Sequence, residues 1–348
     1  MNRQPKAVAL ISGGLDSMLA VKVLQEQGVH VEGINFYTGF CVEGHTHAIR
    51  KSDQKKEKRN NALWVAEQLG IKLHIIDVIE EYKEVLTNPQ YGYGANLNPC
   101  LDCKSFMVKK AREWMDENEF DFIFTGEVIG QRPMSQRKET MPIVAKQCGS
   151  DDRLLRPLCA KLLPETLPER EGWVDREKLL DFNGRSRKPQ IALAAQFGFD
   201  EYAQPAGGCC FLTDQAYSAK LGDLWQQRGS KNYDLDDIML LKVGRHIRPR
   251  DNFKVIVGRE EGENNFMRGY RKQFTHMHAT SHNGPLALID GNVSREDLKL
   301  AAQIVARFTQ GRDADSVQIE VNEKGNEIPF TLDVTPLRND DIPKKWYI

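Results

Sequence analysis

The sequence predicts an α/β chain, a doubly wound parallel sheet with a second, smaller α+β domain behind it. Three observations carry this expectation. Strand and helix patterns alternate from the N-terminus through Thr125, which is the arrangement that gives a parallel sheet with helices on both faces. The pattern then changes after Cys210 to strand-rich segments with a single strong helix. The length of 348 residues, 40% of them hydrophobic and 28% charged, suits two globular cores.

Taken in order, Ala7–Ile11 is a short apolar run that reads as the first strand, followed by a loop of small residues. A helix follows from about Asp16 to Gln27, with Leu15, Leu19 and Val23 on one stripe. Val29–Phe36 reads as the second strand, and a helix near Lys55–Leu69 places Ala62, Val65, Ala66 and Leu69 on one face. Leu73–Val78 is the third strand, Lys104–Asn118 a helix and Phe120–Thr125 the fourth strand. Residues 161–190 are rich in Pro, Glu, Arg and Lys with little periodicity, and read as an inserted, mostly exposed segment before a helix at Pro189–Phe197. Beyond a boundary near 215–235, Met239–Val243, Phe253–Val257, Leu286–Ile289, Val317–Val321 and Phe330–Val334 read as strands. Arg295–Phe308 reads as a helix with Leu298, Ala301, Ala302 and Val305 on one face. The expected domains are residues 1–215 and 235–348. Ligands of such parallel sheets sit outside the carboxyl ends of the strands.

The N-terminal segment lacks signal-peptide architecture, and no stretch approaches the roughly 18 apolar residues of a membrane span. A soluble cytoplasmic protein with no membrane association is expected, with a homodimer among the expectations. Seven cysteines, an odd number, in a reducing compartment argue against a disulfide framework. Clustered cysteines then point to metal binding or sulfur chemistry. The net charge of −1 excludes a chain basic all over but allows local basic faces. Three runs qualify: Arg50–Arg59; Arg245, Arg248, Arg250 and Lys254; and Arg268, Arg271 and Lys272. Each offers phosphate contacts.

Ser12-Gly13-Gly14-Leu15-Asp16-Ser17 joins the first strand to the first helix. Its glycines let the backbone approach a polyphosphate, the helix N-terminus faces the anion, and Ser12 and Ser17 add hydroxyl donors. No Lys is present, so this is not a Walker A loop. The pattern SGGxDS resembles the PP-loop of the ATP pyrophosphatase superfamily. That resemblance implies ATP cleaved between its α- and β-phosphates, with Asp16 acting through Mg2+, a proton or both.

Asn98-Pro99-Cys100-Leu101-Asp102-Cys103 opens a helix, where a thiol pKa can be lowered. Alone, this CxxC serves equally a zinc site, a redox pair or an iron–sulfur cluster. A third element is Gly207-Gly208-Cys209-Cys210-Phe211. A cluster with three cysteine ligands leaves one iron open for sulfide. NPCxxC with its basic helix looks like the tRNA 2-thiouridylases. Thr125-Gly126-Glu127-Val128-Ile129-Gly130-Gln131 with Ser135-Gln136, and then Leu155-Arg156-Pro157-Leu158, look like the TGExxGQ…SQ and (M/L)RPL segments of tRNA 4-thiouridine synthases. The resemblance covers residues 6–215. It implies a tRNA sulfurtransferase that adenylates a uracil carbonyl oxygen and replaces it with sulfur from free sulfide or a persulfide carrier. It implies nucleotide contacts at Ser12, Gly13, Gly14, Asp16, Ser17, Thr125, Gly126 and Gln131. It also implies a 4Fe-4S cluster on Cys100, Cys103 and Cys210, with Cys209 the rival third ligand. Two departures from the 4-thiouridine synthase pattern are expected: no match to its usual N-terminal RNA-binding region and none to a rhodanese domain. Lys254–Arg259 with Glu263-Asn264-Asn265 resembles the VGR…(E)N core of the NFACT-R domain, which implies an RNA-binding second domain. Competing expectations are an ATP-dependent amide ligase, a cluster-free persulfide sulfurtransferase, and an RNA-binding protein with a relic nucleotide fold.

Overall fold

The structure is a computed structural model that describes residues 3–42, 60–150, 152–202 and 210–348. The basic run at Arg50–Arg59, the start of the helix expected near Lys55, and Gly207, Gly208 and Cys209 lie outside the described residues. The described chain forms two compact units that meet in sequence at Thr213 and Asp214.

The first unit is a five-stranded sheet in the order β3-β2-β1-β4-β5, all parallel. Its strands are β1 (Lys6–Leu10), β2 (His30–Tyr37), β3 (Leu73–Asp77), β4 (Phe122–Thr125) and β5 (Leu154–Leu155). Its main helices are α1 (Leu15–Gln25), α2 (Asn61–Leu69), α3 (Ile79–Thr87), α4 (Cys100–Glu117), α5 (Thr140–Gln147), the single turn α6 (Leu167–Arg170) and α7 (Lys188–Gln196). β1 is central and buried on both faces, as its unbroken apolar run demands. Ala7 and Ala9 face a core made with α1, α2 and α7, while Val8 faces one made with α4 and α5. The chain winds outward through β2 and β3, then returns to place β4 on the other side of β1. The switch point, and hence the expected ligand crevice, lies between the carboxyl ends of β1 and β4.

Residues 161–190 are mostly exposed, as expected, but the segment is anchored: Val174 and Leu179 are buried in the α1 core, and Trp173, Leu180 and Phe182 pack against it. The segment runs through short turns, so its buried apolar residues show no period. α4 begins at Cys100 with Pro99 as its N-cap, so Asn98–Cys103 opens the helix as expected, four residues ahead of the apolar pattern from Lys104.

The second unit is a six-stranded antiparallel sheet, β11-β10-β8-β9-β7-β6. Its strands are β6 (Arg245–Arg250), β7 (Phe253–Val257), β8 (Thr275–Ala279), β9 (Ala287–Gly291), β10 (Val317–Asn322) and β11 (Phe330–Val334). The helices are α8 (Gln215–Arg228), α9 (Leu235–Leu240), α10 (Glu261–Met267) and α11 (Arg295–Arg307). Leu298, Ala301, Ala302 and Val305 of α11 cover Val255, Val257, Met277 and Ile319 of the sheet. The stretch expected as a boundary, 215–235, is largely helix α8. Met239–Val243, expected as a strand, instead begins within α9. A short apolar run is ambiguous by period alone, and the reciprocal capping of Asp234 and Asp237 decides it. Among the described residues no helix is long and apolar enough to cross a membrane.

Candidate active site

The loop after β1 has the conformation its glycines require. Gly13 sits at φ +76°, in the left-handed region. Gly14 is the N-cap of α1 at φ −90°, and no side chain caps that helix. A Cβ on Gly14 would meet only Ser12 Oγ at 3.6 Å. The fold therefore does not need Gly14 to lack a side chain, and the missing Cβ leaves space in front of the unpaired N–H groups of the first turn. Ser17 Oγ donates to Gly14 O at 2.8 Å and so closes the turn.

The end of β4 is pressed against this loop. A Cβ on Gly126 would lie 2.4 Å from the carbonyl carbon and oxygen of Asp16 and 2.5 Å from Ser17 N. Gly126 is thus a close-approach glycine. Gln131, from the same segment, donates Nε2 to Asp16 Oδ2 at 2.8 Å. Thr125 differs from expectation: its hydroxyl donates to Glu127 Oε2 at 2.9 Å and faces the fold. Glu127 is buried between Arg156 at 3.1 Å and Lys104 at 3.4 Å. Burial pushes its carboxyl up, but Lys104, Arg156 and the Thr125 hydrogen bond outweigh burial and hold it below the usual range. The Glu of TGExxGQ and the Arg of LRPL are therefore one buried ion pair, which ties β4 to β5 and α4.

Asp16 has a second neighbour that sequence reasoning missed. Arg187, just before α7, places Nη2 3.7 Å from Asp16 Oδ2. Gln190, 1% exposed, donates to Gln131 Oε1 at 3.4 Å. Asp16 Oδ1, Arg187 Nε and Gln190 Oε1 are all buried without a partner. Buried polar atoms left unpaired are costly. Three at the mouth of one Gly-rich loop mark where a polar ligand belongs. No sequence signal pointed to Arg187 or Gln190. A carboxylate oxygen with no partner beside an anion cradle fits Mg2+, an oxygen-seeking ion, so ATP with Mg2+ suits the residues present.

The cysteines lie at the same end of the sheet. Asp102 accepts from Gln90 N and Tyr91 N, and so anchors the loop before α4. Asn96 in that loop donates to Thr213 O at 2.8 Å, tying it to the segment after Cys210. Tyr82 of α3 is 1% exposed and lies between Cys103, Cys210 and Cys41. Burial, followed by the charges of Cys103 and Cys210, pushes its phenol well up. Cys100 Sγ lies 3.7 Å from Ser135 Oγ. Among the described residues no three Cys, His, Asp or Glu side chains are grouped closely enough to hold a metal ion. Cys209, the rival third ligand, lies outside the described residues. Cys41, which sequence reasoning passed over, joins the set through an antiparallel bridge to Cys210. Cys148 and Cys159 are buried thiols, each pushed by burial up to about 11, and belong to the core.

Four of the basic residues expected to meet phosphate are paired with carboxylates in the second unit. Arg248 pairs with Asp223, Arg250 with Asp297 and Arg259 with Glu263. Lys254 is 1% exposed between Asp223 and Asp290, where no phosphate reaches it. The VGR…(E)N residues are likewise structural. Asn264 Oδ1 accepts from Leu286 N at 2.9 Å in the space that Gly258 leaves. Arg268, Arg271 and Lys272 remain exposed.

Comparison with known proteins agrees with these motifs. Residues 5–148 match the family described as tRNA methyl transferase HUP domain, and residues 244–347 match the NFACT protein RNA binding domain. A tRNA-specific 2-thiouridylase, MnmA 3 of Phocaeicola vulgatus, is 31% identical over 156 residues, 44% of this chain and 40% of that protein. The tRNA-specific 2-thiouridylase MnmA of Mesoplasma florum is 29% identical over 257 residues, 70% of this chain and 64% of that protein. The chain thus spans less than two thirds of either relative. A solved 4-thiouridine synthetase–RNA complex with bound ATP shares 20% identity at a TM-score of 0.34, covering 57% of this chain and 54% of that one.

Proposed function

We propose that this chain cleaves ATP to adenylate a uracil carbonyl oxygen of tRNA and then replaces that oxygen with sulfur. One observation carries the reading. The Gly-rich loop with its unpaired Asp16 Oδ1 and the thiols around Tyr82 belong to one unit, at the carboxyl end of one sheet. An ATP-dependent ligase has no use for such thiols, and a relic nucleotide fold has no use for an unpaired buried carboxylate.

In this reading the loop at residues 12–17 seats the triphosphate. Asp16 would hold Mg2+, which when bound supplies positive charge to the phosphates. Arg187 lies beside Asp16 and stabilises charge as pyrophosphate departs. The uracil oxygen attacks the α-phosphorus, sulfur attacks the adenylated carbon, and AMP leaves with the oxygen. Tyr82, pushed up by its surroundings, stays neutral and donates a hydrogen bond among the thiols. Matches to tRNA-specific thiouridylases support tRNA as the acceptor. We read the sulfur as carried by a persulfide on cysteine, since Cys41 and Cys210 stand opposite one another across an antiparallel bridge. Exposed Arg268, Arg271 and Lys272 supply phosphate contacts for the tRNA.

The test is ATP cleavage by the full chain with and without unmodified tRNA. AMP and pyrophosphate should form in equal amounts, and only with tRNA present. Cleavage stimulated by a free amine or carboxylate and indifferent to tRNA would favour the ligase reading instead.

A further inference from the structure

Cys41 follows β2 and is half-buried, and nothing in the motif set assigns it a task. Its backbone is nonetheless fixed. Thr38, 3% exposed, lies 3.5 Å from Cys41 Sγ and receives the N–H of Phe40. Phe40 is fully buried against Tyr82, ring centroids 6.0 Å apart. Cys41 and Cys210 form an antiparallel bridge, and the adjoining hydrogen bond runs from Phe211 N to Phe40 O at 2.9 Å. That bond makes Cys41 and Cys210 a non-hydrogen-bonded pair, whose Cα atoms lie roughly 4.5 Å apart with side chains close together. A disulfide takes Cα separations of about 4.4–6.8 Å, so the two thiols meet its backbone requirement without movement.

We infer that Cys41 is the resolving thiol of this chain: it forms a disulfide with Cys210 and releases the sulfur that Cys210 has accepted. The inference rests on the functional reading above for its sulfur donor, a persulfide. The donor transfers its outer sulfur to the Cys210 thiolate and leaves as a thiol, giving a Cys210 persulfide. The Cys41 thiolate then attacks Cys210 Sγ. The bond between Cys210 Sγ and the outer sulfur breaks, and its electron pair leaves with that sulfur as hydrosulfide. The outer sulfur is reduced to sulfide while the two cysteines are oxidised together, and a dithiol reductant restores both thiols. The bridge places this thiol beside Cys210 through backbone pairing, whereas Cys100 is directed to Ser135.

The experiment treats the full chain, reduced and anaerobic, with glutathione persulfide and without ATP. Released sulfide is measured, and the unreduced protein is digested with trypsin. Sulfide should appear at about one equivalent per chain, with a cross-link between the peptides ending at Arg50 and Lys220. Fragmentation should place the bond at Cys210, and Cys209→Ser should leave it intact. Cys41→Ser should retain the outer sulfur on Cys210 and release sulfide at least tenfold more slowly. A cross-link from Cys210 to Cys100 or Cys103 in the wild-type chain, or normal sulfide release by Cys41→Ser, would overturn the assignment. Because this readout omits ATP and tRNA, a failure of tRNA-dependent ATP cleavage would count against the functional reading alone.

Discussion

Asp16 and Gly126 are neighbours in space for different reasons, and substitution separates them. Asp16→Asn keeps the size and the Gln131 contact but removes the charge that faces the phosphates. Tyrosine fluorescence and melting should be unchanged, while tRNA-dependent ATP cleavage should fall by about 10²–10³, the usual effect of losing one preorganised electrostatic group. Cleavage at the wild-type rate would take Asp16 out of the chemistry. Gly126→Ala acts on the fold. Its Cβ would sit 2.4 Å from Asp16 backbone atoms, so the start of α1 must shift. Overpacking of this kind costs about 1–3 kcal/mol, so the melting temperature and ATP cleavage should fall together. A stable, fully active Gly126→Ala would mean that the β4 end and the loop do not touch. Arg187 occupies the remaining place beside Asp16. Arg187→Met should lower kcat for ATP cleavage with little change in melting.

At the scale of elements, the sequence was most legible where period and position agreed. β1, α1, β7 and α11 follow their apolar patterns, and the SGGxDS loop lies between the elements it must join. It was least legible where a fold detail outside the pattern decided. α9 depends on the Asp234–Asp237 capping pair rather than on its apolar run. Residues 161–190 bury Val174 and Leu179 from irregular turns. Cys41 carries no motif and is found only through its bridge to Cys210. The basic cluster around β6 looked like an RNA face because its partners, Asp223, Asp290 and Asp297, lie far off in sequence. The Glu127–Arg156–Lys104 group gives a pH test of the element junction. The Glu127 carboxyl titrates lower when folded than unfolded, so its contribution is full above the unfolded value and is lost as pH falls through the folded one. Glu127→Gln should therefore melt well below wild type near pH 7, with the gap narrowing below about pH 4.5. A gap independent of pH would show that packing, not charge, holds the junction.

For the molecule as a whole, a nucleotide-loop unit with thiols at its sheet end is followed by a unit in which Arg268, Arg271 and Lys272 form an exposed basic cluster. Replacing Arg268, Arg271 and Lys272 together with Ala should weaken tRNA binding and flatten its salt dependence by a slope of about 2–3 on a log–log plot. Unchanged affinity would move the RNA contacts elsewhere. Iron content separates the two ways of handling sulfur. Protein purified without oxygen and treated with a chelator should still transfer sulfur from a persulfide donor. About four irons per chain, and activity lost with them, would restore the cluster. The central claim is tested most directly by nucleoside mass spectrometry of unmodified tRNA incubated with the full chain, ATP, Mg2+ and a persulfide donor. A thiouridine should appear in proportion to the AMP formed and be absent with Asp16→Asn, whereas AMP formation with no thiouridine in the tRNA would contradict the account.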